Sequence, residues 1–197
     1  MAQVQKQEVR DRIIQSAKIE FYRAGYEGAN MRNIASGADI TVGNLYRYFE
    51  NKDELYNEVI STVYTLVNGA IERITEMNLS MSREIDPSYV QNLKEDKEHN
   101  YIRMIVDEIV SLFSEDRIRL LILLKDERGN QTTDIKYSFI EWVHLALKKN
   151  ESTHKISIYL TYAFVEGLIR IAEDFDDDNE INDRIEDYIK FYFMRAC

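Results

Sequence analysis

The sequence predicts an all-α protein of about nine helices, with three short helices in an N-terminal domain and a larger C-terminal helical bundle. Three observations predict this fold class. Pro occurs once and Gly seven times in 197 residues, which disfavours a loop-rich β fold. Apolar residues recur at helical spacing in almost every segment, and no stretch alternates long enough to form a strand. A hydrophobic share of 45% is ample for a buried core.

The first two predicted helices have recognisable ends. The first carries an apolar stripe from Ile13 to Ala24 and stops at Gly25, a residue typical of helix C-termini. The second follows Asn30, which can accept a hydrogen bond as an N-cap. Its apolar residues, within 31–38, recur at i, i+3, i+4 and i+7 and therefore share one face.

The third helix is predicted over residues 42–49, behind Thr41 as its N-cap. At about 100° per residue, Leu45 and Phe49 fall together on one side and can enter a small core. The opposite side and its edges carry Val42, Gly43, Asn44, Tyr46, Arg47 and Tyr48. An amide and a guanidinium can bond base edges, and phenols can bond phosphates. Two short helices joined by a tight bend, with this face outward, form a helix-turn-helix.

The remaining helices follow from the same periodicity. One is predicted from Lys52 to about Met77, capped by Asn51, and a polar stretch at 78–87 predicts a loop. Further helices are predicted at roughly 87–113, 116–127, 131–149, 153–174 and 180–194, with a charged connector at 174–180.

Charge and composition restrict the class of protein. The formal net charge is −10, but residues 1–60 hold eight Lys/Arg against nine Asp/Glu and the other 137 residues carry a net charge of −9. Nucleic-acid binding depends on a local face rather than on total charge. The single Cys, Cys197, excludes an internal disulfide. The polar first twelve residues and the short apolar run 120–124 predict no secretory or membrane segment, so we expect a cytoplasmic protein.

Residues 10–59 resemble the N-terminal DNA-binding domain of TetR-family transcriptional regulators. The residues that carry the resemblance are Phe21, Gly25, Tyr26, Ile34, Ala35, Gly43, Asn44, Leu45, Tyr46, Tyr48, Phe49, Lys52 and Leu55. The resemblance implies DNA contacts from Arg32, Thr41, Val42, Gly43, Asn44, Tyr46, Arg47, Tyr48 and Lys52. One departure is Asp39, where the family usually has Gly after the Ala. Asp tolerates a left-handed backbone, so the bend can form, but its charge weakens or tunes the affinity for DNA.

The resemblance also implies a division into a DNA-binding domain at 1–51 and a ligand-binding and dimerisation domain at 52–197. We expect a homodimer that binds a pseudo-palindromic operator and represses transcription until a small-molecule inducer releases it. Apolar stripes on the last two helices predict the dimer interface: Ile156, Leu160, Phe164, Gly167, Leu168, Ile185, Tyr188, Ile189 and Tyr192. The alternative is that these stripes build only the core of a single chain.

The inducer site is predicted from aromatic and acidic residues of the middle helices. The candidates are Tyr101, Met104, Phe113, Tyr137, Glu141, Trp142, His144, Tyr162 and Glu166. Ring faces and carboxylates can hold a cation, so we expect a cationic, aromatic inducer. Ordinary core packing of the same residues is the alternative.

Enzymatic function is not predicted. The sequence offers no Gly-rich phosphate loop and no nucleophile with its base. Glu141 and His144 have helical metal-site spacing, but no second such pair exists, so we expect no catalytic site, no metal and no cofactor. The competing hypothesis is an all-helical adapter or binding protein whose N-terminal helices bind another protein instead of DNA.

Overall fold

A computed structural model describes residues 2–83, 90–126, 136–141, 143–144 and 154–195. Every regular element in these ranges is a helix, which confirms the all-α class. The helices are α1 (Ala2–Gly28), α2 (Met31–Gly37), α3 (Val42–Leu45), α4 (Lys52–Arg83), α5 (Val90–Leu124), α6 (residues 136–144, with 142 not described), α7 (His154–Asp174) and α8 (Asp178–Arg195).

The ends of the first two helices form as the sequence predicts. Gly25 has a φ of 65°, in the left-handed region that favours glycine. The regular part of α1 therefore stops there, and one further turn reaches Gly28. Asn30 caps α2, because its side chain accepts a hydrogen bond of 2.8 Å from the backbone N–H of Arg32.

The third helix is shorter than predicted. Regular α-helix ends at Leu45 instead of Phe49. Beyond it the chain tightens: the N–H of Arg47 donates to the carbonyl of Asn44 at 3.1 Å, and that of Tyr48 donates to Leu45 at 2.9 Å. These bonds span three residues, as in a 3₁₀ turn. The next helix begins at Lys52, three residues after the buried Phe49.

One boundary in the longer helices differs from prediction. The loop predicted at 78–87 is helical as far as Arg83, and its last four residues lie outside the described ranges. The helices predicted at 87–113 and 116–127 correspond to α5, in which two helical stretches meet at a kink at Asp116, with φ −155° and ψ 79°. The predicted break between these two helices is therefore confirmed, and α5 is numbered here as one element.

The chain forms two compact units. The N-terminal unit comprises the described residues of Met1–Thr65 and Ile118–Thr133, and the C-terminal unit comprises those of Leu66–Arg117 and Asp134–Cys197. The predicted domain boundary at residue 51 falls inside the N-terminal unit and stays a prediction.

Each unit has an aromatic centre. In the N-terminal unit, the rings of Phe21 and Tyr56 meet edge to face at 5.0 Å between centroids. In the C-terminal unit, Phe164 of α7 stacks on Tyr188 of α8 at 5.4 Å. No helix in the described part of the chain has both the length and the apolar character that crossing a membrane requires.

Candidate nucleic-acid interface

The reading segment, residues 41–49, presents its polar side to solvent. Leu45 and Phe49 are buried, with 0% and 2% of their surface exposed. Tyr46 is 48% exposed, and Thr41, Gly43 and Arg47 are also exposed. The other members of the predicted face, Val42, Asn44 and Tyr48, are half-buried. The described chain therefore leaves this face open while two apolar anchors hold it from below.

The bend before the reading segment depends on Asp39. Its φ is 56°, so this Asp adopts the left-handed backbone expected at the position where the family usually has Gly. After the bend, the Thr41 side chain accepts a hydrogen bond of 3.2 Å from the N–H of Asn44. This bond caps the first turn of α3 as predicted.

Neither the backbone conformation nor the packing around position 43 requires a glycine. Its φ is not positive, and a Cβ built on it would meet no atom within 4 Å. A glycine inside a helix costs stability relative to alanine. The bare backbone on this exposed surface is instead suited to close approach by another molecule.

Glu20 supports the interface and was missed by the sequence reasoning. Its side chain is 6% exposed and accepts hydrogen bonds from Asn33 Nδ2 at 2.8 Å and from the N–H of Asn30 at 3.2 Å. Arg23 also donates to it at 2.8 Å. Glu20 therefore ties α1 to the start of α2, beside the exposed Arg32. The sequence feature that could have identified Glu20 is its position next to Phe21, within an otherwise apolar stripe.

Two opposing effects act on the pKa of Glu20. Burial raises the pKa, but the hydrogen bonds from Arg23, Asn33 and the Asn30 backbone stabilise the carboxylate more strongly. The net effect is a pKa below the usual value, so this buried carboxyl is ionised at neutral pH.

Lys52 contacts the end of α1, and the DNA contact that the resemblance implies for it stays a prediction. Its Nζ donates to the carbonyl oxygens of Tyr26 at 2.7 Å, Ala29 at 3.3 Å and Glu27 at 3.4 Å. The ammonium group also lies 4.3 Å from the centroid of the Tyr26 ring. The side chain thus binds the C-terminal end of α1 instead of extending to solvent.

The predicted dimer residues divide into two groups. Phe164, Leu168, Ile185 and Ile189 are buried in the single chain, and their part in a dimer interface stays a prediction. A Cβ at Gly167 would overlap the ring and hydroxyl of Tyr188, and Tyr192 donates to the Leu160 carbonyl. Both contacts join α7 to α8 of the same chain. The side chain of Ile156 is not described.

A different part of α7 is exposed and apolar. Ile158, Tyr159, Leu160 and Tyr162 are 37%, 73%, 43% and 47% exposed, and Phe191 of α8 is 55% exposed. Of the predicted dimer residues, only Leu160 belongs to this group. Exposed apolar side chains of this size are available for contact with another protein.

The predicted inducer residues do not share one environment. Phe113 is 3% exposed and Met104 is half-buried, whereas Tyr137 and Tyr162 are 56% and 47% exposed. Glu141 is exposed, and so is Glu166, which pairs with Arg170 at 3.0 Å. His144 lies 3.5 Å from the buried Thr161 hydroxyl. The structure does not describe Trp142 or the side chain of Tyr101.

Among the described residues of the N-terminal unit lie cavities of about 440 and 140 Å³. None of the predicted inducer residues lines either cavity.

Comparison with known proteins agrees with the geometry of the N-terminal unit. The family described as bacterial regulatory proteins, tetR family, matches residues 13–59, which contain α2 and the whole reading segment. The N-terminal part of the chain is therefore similar to TetR-family regulators. It is 31% identical over 101 residues to the biofilm operon icaADBC HTH-type negative transcriptional regulator IcaR of Staphylococcus aureus, covering 50% of this chain and 52% of IcaR.

Other proteins are similar to this chain in sequence or in fold. The probable HTH-type transcriptional regulator YttP of Bacillus subtilis is 36% identical over 67 residues, covering 34% of this chain and 32% of YttP. This chain therefore aligns with about half or less of the length of these two curated relatives. A TetR-family regulator from Bordetella parapertussis has the same fold, with a TM-score of 0.64 at 18% identity over 93% of both chains.

Proposed function

We propose that the protein is a ligand-responsive transcriptional repressor that binds a pseudo-palindromic DNA operator as a homodimer and is released by a small-molecule inducer. The observation that carries the proposal is the open polar face of the reading segment above two buried anchors, Leu45 and Phe49. Base contacts come from Asn44 and Arg47, and phosphate contacts come from Arg32, Thr41, Tyr46 and Tyr48. Val42 and Gly43 provide close approach to the duplex.

The proposal is compatible with the acidity of the chain. Residues 1–60 carry a net charge of only −1, and Arg32 and Arg47 are both exposed in this region. An exposed guanidinium can bond two acceptors on a guanine edge or on a phosphate. The distant negative charge is screened within about 8–10 Å at physiological salt, so it does not prevent local binding.

Dimerisation is proposed through the exposed apolar side of α7 and α8, defined by Ile158, Tyr159, Leu160, Tyr162 and Phe191. A second copy of the chain can cover this surface in a two-fold arrangement. Two reading segments related in this way contact successive major grooves when they lie about 34–36 Å apart.

Release by an inducer is proposed through the two long helices. Both α4 and α5 continue from one compact unit into the other. A ligand that prefers a spacing of the reading segments unsuited to the operator lowers the DNA-competent population, and the two bindings are mutually antagonistic.

The first experiment measures DNA binding by mobility shift on promoter fragments over a range of salt concentrations. We expect sequence-specific binding by the wild type, and a loss of base discrimination of about 1–3 kcal/mol in Arg47→Ala. Asn44→Ala should behave similarly. Absence of any sequence preference in the wild type at every salt concentration would favour the protein-binding adapter instead.

Gly43→Ala separates DNA binding from folding. The added methyl group meets no protein atom and improves helix propensity, so stability should be unchanged or rise by up to about 1 kcal/mol. Operator affinity should nevertheless fall, because the methyl group occupies space that the duplex needs. Unchanged affinity in this variant would show that the duplex does not approach α3 at this point.

A further inference from the structure

The first two residues of α4 bind the end of α1. Lys52 contacts three carbonyl oxygens of that end, and Asp53 accepts a hydrogen bond of 2.7 Å from the Tyr26 hydroxyl. We name the contact formed by Tyr26, Lys52 and Asp53 the clasp. We propose that the clasp positions the reading segment for DNA, and that Lys52 acts as a positioning residue and not as a phosphate contact. The inference rests on the proposed DNA-binding function.

The donors and acceptors of the clasp match in number and charge. A lysine ammonium has three N–H donors, and three carbonyl oxygens lie within 3.4 Å of Lys52 Nζ. Carbonyls at the end of a helix lack intrahelical partners and carry the negative end of the helix dipole. A lysine that binds them is stabilised both by hydrogen bonds and by charge.

Tyr26 is held on two sides. Its hydroxyl donates to Asp53, and its ring meets the buried Tyr56 ring edge to face at 5.4 Å. The same ring lies 4.3 Å from Lys52 Nζ, a distance at which a cation is attracted to the ring face. The start of α4 is therefore fixed against α1 by contacts of three kinds.

The chain between the clasp and the reading segment is short. Only Glu50 and Asn51 lie between Phe49 and Lys52. The Asn51 side chain accepts from the N–H of Glu54 at 2.8 Å, and the Glu54 carboxylate accepts from the N–H of Glu50 at 2.6 Å. This connection is rigid, so a displacement of Lys52 displaces the end of the reading segment, where Arg47 projects.

A phosphate-binding role for Lys52 requires different chemistry. To reach a phosphate, the ammonium has to give up hydrogen bonds that it already makes. A phosphate contact also contributes to salt dependence: each one lost reduces the slope of log affinity against log salt by about 0.9. A positioning residue changes affinity without changing this slope.

The test compares Lys52→Met and Tyr26→Phe with Arg32→Met, which removes a proposed phosphate contact. Tyr26→Phe deletes only the hydroxyl group and alters no charge. We expect operator affinity to fall about tenfold or more in Lys52→Met through misplacement, and about threefold in Tyr26→Phe through one lost hydrogen bond. Both should give salt plots parallel to the wild type, whereas Arg32→Met should give a shallower plot. A shallower plot for Lys52→Met together with wild-type affinity for Tyr26→Phe overturns the proposal.

Amide hydrogen exchange without DNA tests the clasp independently of DNA binding. We expect faster exchange of the Leu45 and Tyr46 amides in Lys52→Met and Tyr26→Phe, with α7 and α8 unchanged. Wild-type exchange rates in both variants overturn the proposal. If the wild type binds no DNA, the proposed function fails and the exchange result alone decides on the clasp. If Lys52→Met does not fold, Tyr26→Phe provides both measurements.

Discussion

Single residues at the bend and beneath it determine how the reading segment is presented. Asp39 combines a left-handed backbone, with a φ of 56°, and a negative charge two residues before the start of the segment. Glu20 is a buried carboxylate that holds the start of α2. We expect Asp39 to affect the affinity for DNA and Glu20 to affect the stability of the fold.

For Asp39, we predict that Asn and Gly substitutions both increase operator affinity. Asn keeps tolerance of the left-handed backbone and removes the charge, while Gly also removes the side chain. The gain should be roughly two- to fivefold at low salt, in line with the 0.2–1 kcal/mol of an exposed charge pair, and should diminish at high salt. Fluorescence anisotropy with labelled operator measures it. Stronger binding by Asp39→Gly alone would attribute the effect to the backbone instead of the charge.

For Glu20, we predict that Glu20→Gln destabilises the fold by about 1–3 kcal/mol at pH 7, because buried donors lose a charged acceptor. A carboxyl with a lowered pKa contributes stability above its unfolded pKa of about 4.3 and loses it as the pH falls through the lower folded pKa. The difference between variant and wild type should therefore shrink in acid. Urea unfolding at pH 7 and near pH 3 measures it, with the exposed Glu27→Gln as control. An equal difference at both pH values would contradict the assignment.

At the scale of elements, α7 and α8 pack closely against each other in the C-terminal unit. Gly167 leaves room for the Tyr188 ring, whose hydroxyl lies 3.3 Å from the carbonyl oxygens of Ala163 and Phe164. Burial, followed by the nearby Tyr192, raises the pKa of Tyr188 to about 12. Tyr188 therefore stays neutral and remains a donor at every physiological pH.

We predict that Gly167→Ala destabilises the protein by about 1–3 kcal/mol, because the new methyl group overlaps the Tyr188 ring and forces α7 and α8 apart. The shorter side chain in Tyr188→Leu removes the overlapping atoms. In that background the same Gly167→Ala change should cost much less, as measured by thermal unfolding in a double-mutant cycle. Additive effects of the two substitutions would show that Tyr188 is not the residue displaced.

At the scale of the whole molecule, self-association stays a prediction. Phe164, Leu168, Ile185 and Ile189 of the predicted interface are buried within the single chain, so we propose that a second copy of the chain contacts exposed apolar residues instead. The exposed group around Tyr159 is available, since 73% of its surface is accessible.

We predict that Tyr159→Asp converts the proposed homodimer into a monomer, because a charge placed within an apolar interface loses its hydration. Sedimentation velocity measures the change. Tyr137→Asp is the matched control, since Tyr137 is also an exposed tyrosine of the C-terminal unit but lies outside this surface. Dissociation by both substitutions, or by neither, would place the interface elsewhere. Loss of operator binding should accompany dissociation.

Local chemistry explains which features were predictable. Asn30, Thr41 and Asn51 act as helix caps because their short side chains reach the nearest free N–H groups, and Asp39 adopts its backbone for similarly local reasons. Leu45 and Phe49 are buried because their four-residue spacing puts them on one side of a helical turn. These features depend on neighbours within a few residues, so the sequence shows them directly.

The sequence by itself determined the all-helical class, the caps, the bend and the open face of the reading segment, since periodicity and capping act over a few residues. Only the tertiary structure decided the partners of Lys52 and Glu20 and which residues of the α7 and α8 stripes are buried within the chain. Lys52 lies more than twenty residues from the carbonyls that it binds, and an apolar stripe has the same spacing whether it packs against its own chain or a second one. Such choices depend on which surfaces meet in space, and helical spacing alone does not specify them.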